Sequence, residues 1–156
     1  MASRREFLRE AASLAACAAA LGVAPNHSLE FPVRLAAALR SLGGEAVYPI
    51  PPQDGATIDR DHQVILARYQ DRVYAFGLSC PHQRTALRWQ EEERNFRCPK
   101  HKSTFQLDGA FVAGRATRSM DRYALRREGD TVVVDLSILL QEDKDRERWV
   151  EAVVQL

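Results

Sequence analysis

The chain has 156 residues, 46% of them hydrophobic and 28% charged, the mix of an ordinary globular domain rather than a disordered segment. Lys plus Arg number 22 against 21 Asp plus Glu, so the basic excess expected of a protein that holds nucleic acid by bulk electrostatics is missing. No apolar run reaches the roughly 18 residues of a membrane span, and three cysteines are too few, and odd in number, for a disulfide scaffold.

Residues 1–24 read as an address. A positive start (Ser3-Arg4-Arg5-Glu6-Phe7-Leu8-Arg9) leads into an alanine-rich apolar stretch from Ala11 to Ala24, ending at Pro25. An amphipathic helix of the mature domain is the other reading, but mostly alanine makes a poor core face. The paired arginines followed by Phe-Leu resemble a twin-arginine (Tat) export signal. That resemblance implies a protein folded and loaded in the cytosol and sent to the periplasm. Gly22-Val23-Ala24 offers a small-x-small cleavage site, and an uncleaved leader would act as a weak anchor. Leu14-Ala15-Ala16-Cys17 resembles a lipobox, which would make Cys17 a lipid attachment point. Removing residues 1–24 takes away three Arg, two Glu and Cys17, leaving a formally neutral chain with two cysteines.

Residues 25–44 are a linker carrying a short amphipathic helix, Phe31 to Leu42, closed by Gly43-Gly44. Ala46 to Ile50 is a strand, broken by Pro51-Pro52 and the polar turn Gln53-Asp54-Gly55. Val64–Tyr69 and Arg72–Gly77 form a hairpin across Gln70-Asp71. Leu107 to Phe111 is a tight turn leading into another strand. Tyr123–Arg127 and Thr131–Leu136 pair across Glu128-Gly129-Asp130, supported by the β-branched run Thr131 to Val134. Residues 137–156 predict a terminal helix docked by Trp149. The whole is all-β, a small antiparallel sandwich or barrel over residues 45–136, with an N-terminal signal helix and a C-terminal helix.

Both thiols left after the leader fall in two turns: Cys80-Pro81-His82 and Cys98-Pro99-Lys100-His101. Each turn offers one thiol and one imidazole. Cys80, His82, Cys98 and His101 suit a tetrahedral zinc or a two-iron cluster with Cys on one iron and His on the other. Zinc patterns more often group like with like, whereas mixed pairs fit the cluster directly. A plain Cys80–Cys98 disulfide would leave the histidines coincidental.

From about Glu45 to Leu136 the sequence resembles the Rieske iron–sulfur family. The resemblance implies one [2Fe–2S] cluster bound by Cys80, His82, Cys98 and His101 at two loop tips. Ser103 matches a serine whose hydroxyl donates to a bridging sulfide, and Gly114 and Ala116 match a segment that closes over the cluster, with Arg115 in place of its proline. Phe105 stands where cytochrome bc members have a tyrosine bonded to a cysteine sulfur. Thr85 and Lys100 stand where those members have two cysteines forming a disulfide. Fewer hydrogen bonds to sulfur lower the potential, so this site is expected below the top of the roughly −150 to +300 mV Rieske range. Reduction would make the exposed ring N–H groups of His82 and His101 less acidic, coupling electron to proton transfer.

The resemblance further implies an electron carrier rather than a catalyst alone. Its partners would be a quinol and a cytochrome in a membrane-associated, bc-like respiratory complex facing the periplasm. A small subunit of a molybdenum oxidoreductase of the arsenite-oxidase sort is the alternative, and a ferredoxin serving an oxygenase is a third role, which the leader disfavours. A Rieske oxygenase needs a further catalytic domain, for which the chain has no room. Arg84, Lys100 and Lys102 are either a solvated surface or a steering patch for an acidic partner. Trp89 and Phe96 are packing residues, His27 and His62 surface histidines, and Glu91-Glu92-Glu93 a solvated loop.

Overall fold

A computed structural model describes residues 44–156. The leader and the helix expected at Phe31–Leu42 lie outside the described residues. Eleven strands and one short helix follow: β1 (Glu45–Pro49), β2 (Gly55–Asp59), β3 (Val64–Tyr69), β4 (Arg72–Gly77), β5 (Arg88–Gln90), β6 (Asn95–Arg97), β7 (Thr104–Phe105), β8 (Phe111–Ala113), β9 (Arg122–Glu128), β10 (Thr131–Leu140), α1 (Arg146–Glu151) and β11 (Val154–Gln155). The fold is the expected antiparallel all-β one. A seven-stranded sheet runs β1-β10-β9-β4-β3-β2, with β11 on β4, and a four-stranded sheet runs β5-β6-β7-β8.

The large sheet curls until its two edge strands meet: Tyr48 Oη on β1 donates to Asp59 Oδ2 on β2 at 2.8 Å. His62 Nδ1 lies 2.7 Å from the same carboxylate oxygen, so this histidine belongs to a polar clasp rather than to open surface. Burial and the Asp59 contact raise the Tyr48 pKa, keeping it a proton donor in this clasp.

The β3–β4 hairpin is the shared wall of the molecule. Alternate residues of a strand point to opposite faces, and here both faces are covered. Val64, Leu66, Val73 and Ala75 pack inside the curl against Val132 and Val134. Ile65, Ala67, Tyr74 and Phe76 face the small sheet, against Phe96, Phe105 and Leu107. The run Val64-Ile65-Leu66-Ala67 is therefore apolar without alternation. The hairpin turns at Gln70-Asp71, both at positive φ (49° and 57°), which matches the right-handed strand twist.

The expected turn near Leu107 is an Asx turn, in which Ala110 N donates to Asp108 Oδ1 at 3.0 Å. Gly109 (φ +82°) packs so closely on Phe76 that a Cβ would lie 2.4 Å from its ring. Arg122, 6% exposed, locks this turn to the C-terminal segment. It donates to Asp108 O and Trp149 O, both at 3.0 Å, and lies 3.6 Å from the Trp149 ring centroid. Burial lowers its pKa to about 10, outweighing the opposing pull of Tyr74, Asp108 and Glu142.

The C-terminal helix expected over 137–156 is a correction: only Arg146–Glu151 is helical. β10 continues through a bulge after Asp135, pairing Leu139 with Tyr123 and Leu140 with Arg122. β4 pairs with β9 only at Phe76↔Arg122, which leaves the backbone at Arg72 and Val73 open. Gln155 and Val154 pair there, so Val154, which fits a helical spacing, becomes strand. Trp149 does dock, its indole N–H donating to Met120 O at 2.9 Å. Strands β2, β5, β6 and β7 were not anticipated; the last three are too short to show a period. Among the described residues no helix is long and apolar enough to cross a membrane.

Candidate metal centre

The site forms where three segments meet at one end of the small sheet. The first loop leaves β4 and enters β5; the second joins β6 to β7; the third follows β8. The two ligand-bearing loops share one backbone plan. In the first, Arg84 N donates to Cys80 O (2.9 Å) and Cys80 N to Thr85 O (2.9 Å). In the second, Lys102 N donates to Cys98 O (3.0 Å) and Cys98 N to Ser103 O (2.8 Å). Each ring closes through one left-handed residue, Arg84 (φ 52°) or Lys102 (φ 57°).

All four residues singled out by spacing come together. Cys80 and Cys98 are buried free thiols, 1% and 2% exposed, close enough to perturb one another's ionisation. The His82 and His101 rings stand 4.8 Å apart at 70°. Both rings are partly exposed, yet Nδ1 of each is buried with no hydrogen-bond partner. Buried ring nitrogens are normally satisfied, so two orphaned ones facing a common site mark a place for a bound group.

The electrostatic environment acts in opposite directions on the two thiols. Burial raises the Cys80 thiol pKa against the opposing N–H groups of His82 and Gln83. Burial acts the same way on Cys98, but the N–H groups of His101 and Lys100, the Cys80 thiol and the Thr85 hydroxyl together bring it below its ordinary value. The His101 pKa is lowered by burial first, then by His82, Arg115 and Lys100, favouring the neutral imidazole that a metal requires.

Ser103 is fully buried, and its Oγ accepts from Arg115 N (3.1 Å) and Ala116 N (3.0 Å). A hydroxyl has two acceptor sites and one donor, so both lone pairs are used and the proton remains free to donate. Gly114 (φ +112°) permits this approach, since a Cβ there would lie 2.4 Å from Ser103 Cα. Phe105 is fully buried and brings no hydroxyl. Sequence reasoning treated Thr85 only as a missing cysteine and overlooked its hydroxyl against Cys98. Its place five residues after Cys80, as Ser103 follows Cys98, was the available signal. The backbone donors of Arg115 and Ala116 were also missed, although Gly114-x-Ala116 marked their segment.

Residues 49–124 match the model of the Rieske [2Fe-2S] domain. The chain is 30% identical over 98 residues to the ferredoxin component of a naphthalene 1,2-dioxygenase system of Pseudomonas aeruginosa, covering 59% of this chain and 91% of that one. It is 23% identical over 74 residues to a cytochrome b6-f complex iron-sulfur subunit of Chlorobaculum thiosulfatiphilum, covering 47% of this chain but only 41% of that subunit. Solved structures with a similar course include the plasma membrane Rieske protein PetC3 of Synechocystis PCC 6803 (TM-score 0.43, 21% identity, 62% of this chain and 91% of that one). Another is the ferredoxin of carbazole 1,9a-dioxygenase from Nocardioides aromaticivorans IC177 (TM-score 0.39, 23% identity, 55% and 86%). The chain belongs to the Rieske [2Fe–2S] family, whose members hold a two-iron cluster through Cys and His. The orphaned nitrogens and paired thiols fit that group.

Proposed function

We propose that the chain is a one-electron carrier, with Cys80 and Cys98 binding one iron and Nδ1 of His82 and His101 the other. The two buried, unpartnered Nδ1 atoms beside the buried thiol pair carry this reading. The cluster supplies reversible one-electron chemistry. The chain's part is to exclude water from the sulfur side, aim the Ser103 hydroxyl inward, and leave the outer ring edges of His82 and His101 accessible. A partner reaches the site through those edges, where a ring N–H can also release or hold a proton. After reduction with dithionite, EPR should give a histidine-ligated [2Fe–2S] signal with pulsed-EPR couplings to two imidazole nitrogens. His82→Ala should remove one coupling. No signal, or one without nitrogen coupling, overturns the reading.

The leader supports an exported role, as the iron–sulfur subunit of a periplasm-facing, quinol-oxidising respiratory complex, or otherwise of a molybdenum oxidoreductase. A second reading, a ferredoxin-type donor, draws on the 30% identity over 91% of an oxygenase-system ferredoxin and on free Cys80 and Cys98 with no disulfide clamp beside them. Fractionation of cells expressing the full chain, with reduction assays of the purified protein, separates them. Periplasmic recovery and reduction by a quinol analogue support the first. Cytosolic recovery and reduction by a nicotinamide-dependent flavoprotein support the second.

A further inference from the structure

We propose that the cluster end carries a cationic docking collar, and that its electron-transfer partner is a protein presenting an acidic surface around its own redox centre. This rests on the cluster reading above and adds the kind of partner. The segments that build the site are 77–90, 95–107 and 109–120. They hold Arg84, Arg88, Arg97, Lys100, Lys102, Arg115 and Arg118 and no Asp or Glu, with Asp108 and Asp121 the acidic residues that border the second and third segments. In a chain with formal charge +1, that is a strong local separation of charge.

Six of the seven are exposed, and none of those six makes an ion pair among the described residues. The seventh, Arg118, pairs with Asp121 and Asp143. These are the carboxylates that line, with Cys80 and Arg84, a groove of about 540 Å³ beside the first loop. Asp121 and Asp143 are thus already engaged by Arg118, and the Asp108 carboxylate accepts from Ala110 N, so neither the groove nor that turn offers the collar a free partner.

Two local features run against stability, as expected where a surface serves a partner. Arg88 and Arg97 sit directly opposite each other on β5 and β6, an unfavourable like-charge pair. Arg84 and Lys102 occupy left-handed positions where a glycine would fit without strain. The β5–β6 hairpin is also polarised, basic beside Cys98 and acidic at its far turn, Glu91-Glu92-Glu93.

Large apolar side chains are sparse around the site. Of Val112, Leu139, Val150 and Leu156, the exposed large hydrophobics of the described residues, only Val112 lies in the three segments. Pro81 and Pro99 supply a small apolar centre next to the ligands. A small apolar patch inside a charged rim is the anatomy of a transient protein–protein encounter, in which charge sets orientation and on-rate.

Horse-type cytochrome c provides the test, because succinylating its lysines reverses the charge around one and the same haem. In stopped-flow oxidation of the reduced holoprotein at 10 mM ionic strength, the succinylated form should react roughly 10–100-fold faster than the native form. The difference should vanish by 0.5 M salt. The variant Arg84→Gln/Arg88→Gln/Arg97→Gln/Lys102→Gln should cut it to about threefold or less while keeping the wild-type EPR signal. Native cytochrome reacting as fast as succinylated, or a variant that keeps the difference, overturns the collar with the cluster reading intact. Co-sedimentation of wild type, but not the variant, with phosphatidylglycerol vesicles at 0.15 M salt would overturn it in favour of a membrane surface. An absent EPR signal in the wild type removes the cluster on which both readings stand.

Discussion

Between Cys80 and Thr85, and again between Cys98 and Ser103, the chain closes a ring with the same two backbone hydrogen bonds, and the residue after the left-handed position carries a hydroxyl. Beyond that shared plan the loops part. Ser103 is fully buried under the Gly114–Ala116 segment and takes two backbone N–H groups, whereas Thr85 is half-buried with its hydroxyl acting on the Cys98 thiol. One loop is covered by a third piece of chain; the other is held by its own ring and by the bridge between Ser79 and Ala86. The same turn chemistry can therefore be fixed tightly or left more exposed, depending on what packs across it.

The sharpest way to break this asymmetry is Gly114→Ala. Its Cβ would meet Ser103 Cα at 2.4 Å and Ser103 N at 2.8 Å, with φ at +112°. The cover has to lift, so a loss of about 3–5 kcal/mol is expected, with poor iron incorporation. Gly129→Ala, where nothing lies within 4 Å, should cost only ~1 kcal/mol. Urea midpoints and iron content check both.

Next comes the hydroxyl pair. Ser103→Ala strands one buried and one part-buried N–H donor and should cost about 2–3 kcal/mol, while Thr85→Val should cost less than ~1 kcal/mol. Losing the inward O–H of Ser103 should also lower the midpoint potential by about 60 mV, one hydrogen bond's worth for a one-electron couple. Thr85→Val should lower it by roughly half as much. EPR-monitored titration decides; equal effects from both substitutions would erase the contrast.

The smallest effect concerns the anchor behind the cover. Glu142 Oε2 accepts from Ser119 N at 2.7 Å, and Ser119 Oγ in turn accepts from Phe111 N. Burial raises the Glu142 pKa, but the Ser119 bonds and Arg146 more than offset it, so the folded value lies below the ordinary 4.5. A depressed carboxylate adds stability above its unfolded pKa and loses it as pH falls through the folded value. Melting temperature should therefore drop from about pH 4.5 downward, and Glu142→Gln should lower it modestly at pH 7 and flatten that acid limb. A parallel acid limb in the variant would show that the anchor does not matter.

Much of this was legible without coordinates because it depends on residue type and short spacing. Strands β3 and β4 match the predicted bounds because their apolar runs stop at a sharp polar turn. Cys80, His82, Cys98 and His101 declared themselves because metal ligands must be soft donors at turn-sized intervals. Ser103 and Gly114 were visible through family resemblance, but not their contact, which joins residues 11 apart across two loops. Thr85 was hidden because its importance lies in facing Cys98, a neighbour only after folding. The tail was misread for a similar reason. Val153 and Val154 fit helical spacing, and only the open backbone of β4 made Val154 a strand residue.

The sequence by itself determined the two loop tips, their donor atoms and the basic residues beside them, since these follow from chemistry carried within a few residues. Which hydroxyl is buried, which loop is covered and where the unpaired charge collects were decided by tertiary structure. Each depends on segments distant in the chain meeting at one end of a sheet, where burial and low dielectric set the strength of every contact.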